Sequence, residues 1–581
     1  MELLSPAGSF EALKIAVANG ANAVYLGLNK FSARAKATNF DMQTVKEAIK
    51  YAHLFNVKVY VAMNTLLYEK ELVTALNLAK ELKNMQVDAL IIQDLGLATL
   101  LKKELPNLTL HASTQMGIHN LEGAVVAKSL GFSRIILSRE ATLEDIERIK
   151  LNCDIELEFF CHGALCVAFS GNCYMSSIVS RNSGNRGKCL QLCRKQYVLS
   201  GKSCYGQGYF LSTKDVNLSN HLKKLQNVGI CSLKIEGRMR KLSYVETVTK
   251  VYRKILDNNF LTNNKFDATL QSVYIRDGGC SSHLFNKTSN TICDIKNGHK
   301  TLIHKPNNNK NTIIPLKNEL PQKTLALKTN FDNSFFKKPQ NDIKIYKHVV
   351  MVDSLQKFKL VKAGADCVIY SPFIYDKADI EKFVGSVCID VYLNLPLIAR
   401  TKDIDKLKDI LSSPKIKNVV ANNLYALELA KDKNIMLGMG LNLINNTLNY
   451  QRILSIEAKG AFSDSDIVYA FGYPNLMTFC HCFNHTLNKS CKSCTNENLV
   501  LTDETRAKFK IKRTKVANCY HGLFNNIPIN ATNLLKQKNA TNAILFDFCG
   551  FEISELKNFD YSNLTNISKN FTKGHLYRGV D

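Results

Sequence analysis

Tryptophan is absent from this chain, while Asn and Lys are abundant. No stretch approaches the ~18 uninterrupted apolar residues of a membrane span, which excludes an ordinary helical membrane protein. The first residues, Met1 to Gly8, lack a basic segment followed by an apolar run, so no secretory signal is expected and a cytoplasmic location is the natural prior. The motif His-Glu-x-x-His does not occur, which removes the common zinc-protease signature. Acidic side chains are in short supply: 50 Asp and Glu face 76 Lys and Arg, for a formal charge of +26. A genomic bias toward Lys accounts for part of that. The excess also favours a polyanionic partner, nucleic acid being the commonest.

The 581 residues exceed what one hydrophobic core organises, so two or three domains are expected. Residues 1–260 alternate β-rich runs with amphipathic helical patterns. Expected strands are Glu2–Leu4, Ala23–Leu26, Val57–Met63, Ala89–Gln93, Leu108–His111, Arg134–Ser138, Ile155–Phe160, Tyr209–Leu211 and Ser232–Ile235. About eight β/α units in ~250 residues predict a (β/α)8 TIM-like barrel, whose active site lies at the strand C-termini. Residues 261–347 form an extension and basic linker; from 300 onward ten lysines face three acids. Gly20 to Tyr25 is echoed by Gly364 to Tyr370, and Val59 to Asn64 by Val391 to Asn394. The echo predicts a second, smaller α/β domain over 348–475. A cysteine-rich C-terminal region, 476–581, completes the chain.

Eighteen cysteines in a large chain without an export signal point to reduced thiols and metal sites rather than a disulfide framework. Cys367 and Cys388, in apolar runs, read as core residues. Cys166, Cys173, Cys189 and Cys193 are spaced C-x6-C-x15-C-x3-C. Converging thiolates suit a structural zinc or an iron–sulfur cluster, and spacing alone decides neither. Only one of these pairs is tight, and the group falls at the expected active face, which favours [4Fe-4S]. The polar stretch Ser180 to Lys188 reads as a lid over them, with Arg181, Arg186 and Lys188 offered to phosphates. Farther on, Cys482, Cys491, Cys494 and Cys519 have the form of a zinc ribbon, with His481, His485 and His521 as spare ligands.

Glu156-Leu-Glu-Phe-Phe-Cys-His-Gly-Ala-Leu-Cys-Val-Ala-Phe-Ser-Gly-Asn-Cys173 resembles the signature of peptidase family U-32, the collagenase-like group. Met1 to Gly8, the Asp94 segment, His111 to Gln115, Ile136 to Glu140 and Ser232 to Arg238 agree with it. The resemblance covers about residues 1–260 and is looser beyond. It implies a [4Fe-4S] cluster on Cys166, Cys173, Cys189 and Cys193. It also implies oxygen-independent C5 hydroxylation of a pyrimidine in RNA, with prephenate as co-substrate and an electron donor as partner. The versions around His111 and Cys189 look closest to the type acting on 23S ribosomal RNA, so rRNA is favoured over tRNA. Candidate catalytic supports are His111, Arg139, His162, Lys234, Glu236 and Arg238, with Gln115 and Arg34 beside them; a basic group among them would clamp a carboxylate. Two rival readings are a peptidase using Cys166 with His162 or His111, and a non-catalytic RNA-binding factor.

Overall fold

The computed structural model describes the chain except residues 36, 203, 275–277, 286–291, 294, 296–345, 444–449, 459–465, 487–497, 533–542, 558, 562–563, 565–571 and 573–581. Eight parallel strands form the first barrel: Glu2–Pro6, Ala23–Gly27, Lys58–Met63, Ala89–Ile92, Leu110–Ala112, Arg134–Ile136, Glu156–Ala164 and Ile230–Ile235. The eighth pairs with both the first and the seventh, which closes the sheet. Intervening helices begin on side chains that accept from their first turns: Ser9 from Ala12, Asp41 from Thr44, Asp94 from Leu97, Asn120 from Gly123 and Thr142 from Asp145. Such caps fix where each loop above the strands must turn. Tyr209–Leu211 is not a strand. Phe210 and Leu211 are turn residues buried in the apolar cluster that also packs against the cysteines, so their apolar character serves packing rather than a ladder.

The α/β unit expected over 348–475 is itself a barrel of eight parallel strands, and it continues past that boundary to a closing strand at Ala543–Asp547. The two echoed segments fall on the second and third strands of each barrel. Each barrel also makes an excursion between its seventh and eighth strands. The first contributes Tyr197–Ser200 and Cys204–Gly208; the second contributes Asn475–Phe479, Leu499–Thr502, Lys508–Lys515 and Cys519–Phe524. Together they make one six-stranded antiparallel sheet, joined where Tyr197–Ser200 pairs with Leu499–Thr502. Cys367 is fully buried as expected, whereas Cys388 is exposed in the loop before Asp390–Asn394. No helix among the described residues is long and apolar enough to cross a membrane.

The first barrel's lumen is unusually polar for a packed core. An apolar layer (Leu4, Tyr25, Tyr60, Ile91, Ile136, Phe160) sits with a charged one. There, Arg134 reaches Glu2 at 2.6 Å and Glu158 at 3.3 Å, and Lys234 reaches Glu158 at 2.7 Å. Lys234 and Glu158 are 4% and 0% exposed, so neither charge is repaid by water. Removing one partner strands the other in a dry lumen, at a cost of about 3–5 kcal/mol, whereas replacing both with apolar groups of similar volume recovers most of it. We therefore expect Lys234→Met to lower the unfolding free energy by about that amount and Glu158→Leu/Lys234→Met to restore much of it, as read by urea unfolding.

Buried histidines set the acid limit of the fold. Burial holds His162 down to about 3 and His283 down to about 3. Both are neutral in the folded chain and take up protons on unfolding once the pH falls below the ordinary value near 6.5. Their contribution is thus complete above about 6.5 and is lost as the pH falls from there toward 3, at about 1.4 kcal/mol per unit for each group. Urea midpoints measured between pH 7 and 5 should fall steadily. His162→Phe should flatten that slope by about one proton, and an unchanged slope would contradict its buried neutral state.

Candidate functional site at the barrel mouth

The first barrel's strand ends bring four charged side chains together. Arg34 follows the second strand, Arg139 the sixth, and Glu236 and Arg238 the eighth. Glu236 Oε2 lies 3.2 Å from Arg34 Nη2 and 3.5 Å from Arg139 Nη2. Arg139 Nη1 also donates to Ser170 Oγ at 3.3 Å, and Arg238 Nη1 to Ser32 Oγ at 2.8 Å. Burial opposes the charge on Glu236, but Arg34, Arg139, Arg238 and Lys234 together hold its carboxyl below the usual range. Burial pulls Arg238 down to about 10, reinforced by the like charge of Arg34. Three guanidiniums share one carboxylate, so the mouth keeps a surplus of positive charge with donors in fork geometry. That is the chemistry that receives a carboxylate or phosphate.

Close packing enforces this arrangement. A Cβ on Gly27 would fall 2.0 Å from Arg238 Nη1 and 2.3 Å from Ser32 Oγ, and one on Gly8 would fall 1.9 Å from the Arg238 carbonyl oxygen. Only a residue without a side chain lets the guanidinium lie there.

The other sequence candidates lie elsewhere in the barrel. Lys234 is two residues before Glu236 but is committed to Glu158, with its ammonium 4.2 Å from the Tyr25 ring centroid. His111 sits in the lumen, edge-on to Tyr60 at 4.8 Å. Burial, with Arg134 and Lys234 nearby, holds it well below its ordinary value, so it is neutral. His162 packs among Tyr244, Tyr252 and Tyr274, and its Nδ1 lies 3.2 Å from the Tyr252 hydroxyl. Gln115 is half-buried and lines a small cleft with Gln93, Asn172 and Asn423. Of the His162 ring, Nδ1 faces the Tyr252 hydroxyl, while Nε2 is buried without a hydrogen-bond partner among the described residues.

The four N-terminal cysteines occur in the excursion between the seventh and eighth strands and carry no disulfide. Cys166, Cys173 and Cys193 pack against an apolar cluster that includes Met175, Tyr197, Leu199, Met477 and Phe479. Burial raises the Cys173 thiol well above its ordinary value, and Cys189, Cys166 and Cys193 raise it further. Cys173 is thus within electrostatic reach of the other three. Burial also raises Cys166, and Arg139 opposes the rise. Cys189 in turn helps hold the Arg34 guanidinium in its charged form, after the larger effect of Glu236. The thiols and the arginines therefore border one space.

Among the described residues no three His, Cys, Asp or Glu side chains are placed to hold a single metal ion. A tetrahedral zinc with sulfurs at ~2.3 Å requires them about 3.8 Å apart.

Within the stretch Ser180 to Lys188, Arg186 is not offered to phosphates. Its guanidinium forks onto Glu71 at 2.9 and 2.9 Å, donates to the Leu66 carbonyl at 2.7 Å, and stacks 4.4 Å over Tyr68. Ser183 and Asn185 donate to Glu457 of the second barrel at 3.0 and 3.1 Å. Neither the Glu71 nor the Glu457 partnership had a local signal in the sequence, because both partners are remote from the loop. In the C-terminal group, Cys482 and Cys519 are half-buried, and Cys491 and Cys494 lie outside the described residues. His481 faces Cys293, with Nδ1 3.7 Å from its sulfur, and His521 stacks on Phe479.

A family model described as Peptidase family U32 matches residues 8–292. The chain is 41% identical over 260 residues to the 23S rRNA 5-hydroxycytidine C2501 synthase of Escherichia coli, covering 44% of this chain and 39% of that protein. It is 36% identical over 265 residues to tRNA hydroxylation protein P1 of Bacillus subtilis, covering 44% and 63%. It is 41% identical over 296 residues to an uncharacterized protease of Methanocaldococcus jannaschii, covering 48% and 71%. The chain thus spans less than two thirds of the first two relatives. By the shared signature, the barrel that carries it and these identities, the chain belongs to peptidase family U32.

Proposed function

We propose that this protein is an iron–sulfur-dependent RNA hydroxylase that modifies a pyrimidine at C5 without molecular oxygen. The observation that carries the reading is the convergence of four cysteines, none in a disulfide, beside a three-arginine, one-carboxylate group at the C-terminal mouth of a (β/α)8 barrel. Relatives named as an rRNA hydroxycytidine synthase and tRNA hydroxylation proteins support it. In this reading Cys166, Cys173, Cys189 and Cys193 hold a [4Fe-4S] cluster, which supplies an electron-transfer centre. A zinc on Cys482, Cys491, Cys494 and Cys519 belongs to the same reading as a structural element.

The chain's own residues account for the rest. Arg34, Arg139 and Arg238 receive the carboxylate of a small anionic co-substrate, prephenate by family resemblance. Glu236 holds two of those guanidiniums apart and aimed into the mouth before the ligand arrives, so little ordering remains to be done on binding. Arg139 links the two halves of the site, since it contacts Glu236 and also acts on Cys166. The net charge of +26 suits phosphate contacts along an RNA. An electron donor completes the set of partners, and ribosomal RNA is the favoured substrate.

The direct test is anaerobic purification with metals counted, joined to mass spectrometry of RNA from a strain lacking the gene. About four iron and four sulfide per chain, with a hydroxylated pyrimidine missing from rRNA, is the expected outcome. Zinc in place of iron at the first site, or unchanged RNA, would end the proposal. Within the mouth, Arg139→Lys removes a fork of charge-assisted hydrogen bonds worth about 1.5–3 kcal/mol. Steady-state kinetics should show KM for the anionic co-substrate rising about 10- to 100-fold with a smaller change in kcat. An unaltered KM would remove Arg139 from the binding group.

A further inference from the structure

The four cysteines are not equivalent in their surroundings. Cys166, Cys173 and Cys193 are half-buried against the apolar cluster beneath the excursion, whereas Cys189 is exposed and lies outside that cluster. Its loop is held in an unusual shape. Gly187 has φ +90 and packs so closely on the next loop that a Cβ would fall 2.5 Å from the Ser32 carbonyl oxygen. Gln191, which is not glycine, also lies in the left-handed region at φ 56. Between these two points the chain turns outward and presents Cys189 to the mouth.

Two donors are aimed at that sulfur. The Gln191 amide lies 3.3 Å from Cys189 Sγ and the Ser176 hydroxyl 3.9 Å. Ser176 is itself fixed, because its oxygen accepts from the Leu190 amide at 3.1 Å. Arg34, whose side chain is 34% exposed, adds a positive charge on the same side. Donors and a cation around a coordinating sulfur drain charge from it and weaken its hold on a metal.

Resting on the cluster reading above, we propose that Cys189 is the exchangeable ligand of the site, and the other three cysteines are its permanent hold. In the exchange, Cys189 Sγ would give up its place to an oxygen of water or substrate, one bond made for one broken. The sulfur leaves with its electron pair as a thiolate, which Gln191, Ser176 and Arg34 receive. No electron is gained or lost by iron. The approach of substrate to the metal is thereby confined to the side that carries Arg34 and Glu236.

The test uses the full chain, purified without oxygen, with iron and sulfide counted and the dithionite-reduced spectrum recorded by electron paramagnetic resonance. Cys189→Ser should keep at least about three quarters of the wild-type iron with an altered spectrum, while Cys166→Ala, Cys173→Ala and Cys193→Ala each fall below about one quarter. Brief treatment of loaded wild-type protein with iodoacetamide should label Cys189 at least about tenfold faster than the other three, a readout that no variant's folding can disturb. Equal loss of iron in all four variants together with equal labelling would overturn the proposal while leaving the cluster intact. Wild-type protein devoid of iron and sulfide would instead overturn the cluster reading, and this one with it.

Discussion

The backbone that bears Cys173 is held from outside its own barrel, and the cysteine site depends on that hold. Phe169 and Tyr174 donate their amides to the Thr478 and Leu476 carbonyls, each at 2.7 Å, so residues 169–174 run as an extra partner to the strand Asn475–Phe479. That strand belongs to the excursion of the second barrel. Each such bond contributes only about 1 kcal/mol net. Their effect is geometric. A loop of some fifteen residues between the second and third cysteines has many conformations of similar energy. Pinning one end to a sheet and the middle, through Ser183, Asn185 and Arg186, to Glu457 and Glu71 leaves the thiols few other places to be.

The electrostatics of the mouth follow from the same enclosure. In water, three guanidiniums near one carboxylate would be screened and of little consequence. Here Arg139 and Glu236 are 8% and 13% exposed. The Arg139–Glu236 pair is therefore only weakly screened by solvent. The neighbouring lumen needs the opposite: Lys234 and Arg134 are matched there by Glu158 and Glu2. A single strand, Ile230–Ile235, thus bears a lysine balanced within the lumen and leads into a carboxylate and an arginine that belong to the mouth.

Much of this was legible from residue order alone. Strand–helix alternation located all eight strands of the first barrel, three within one residue, four within two, and the seventh with its end four residues early, because buried parallel strands are short runs of Val, Ile, Leu and Ala between amphipathic helices. Arg139, Glu236 and Arg238 stood out because they follow such runs, and they are the residues that meet. The same rule brought in Lys234, His111 and His162, since strand position says nothing about which way a side chain faces after an irregularity. The seventh and eighth strands shift register between Lys234 and Ile235, beside His162. The extent of the second barrel was hidden because its excursion separates the closing strand from the seventh by some seventy residues. The joint sheet was invisible for a deeper reason: its halves lie about 300 residues apart, and antiparallel pairing leaves no periodic trace across such a distance.

The second barrel has the architecture of a catalytic barrel, yet its own mouth is filled. Tyr174 and Ile178, from the segment just after Cys173, join the lumen residues Met351, Ile369, Tyr392, Val420, Met436 and Tyr469 in one cluster. The Tyr174 hydroxyl donates to the Met439 carbonyl at 3.3 Å. The barrel so occupied keeps a small cleft at its strand ends, where Asn423, Gly440 and Asn442 meet Gln93 and Gln115 of the first barrel. What it gains is a rigid socket for the chain that leads out of the cysteine site. One mouth carries the arginines and thiols, and the other holds the chain that leads from them. The shared position of both excursions, after the seventh strand of each barrel, lets them meet in one sheet. It also explains why the cysteines are not on the strands themselves. A site built at the joint of two barrels is set by their contact, so the second half fixes the geometry of the cysteine segment through Leu476, Thr478 and Glu457.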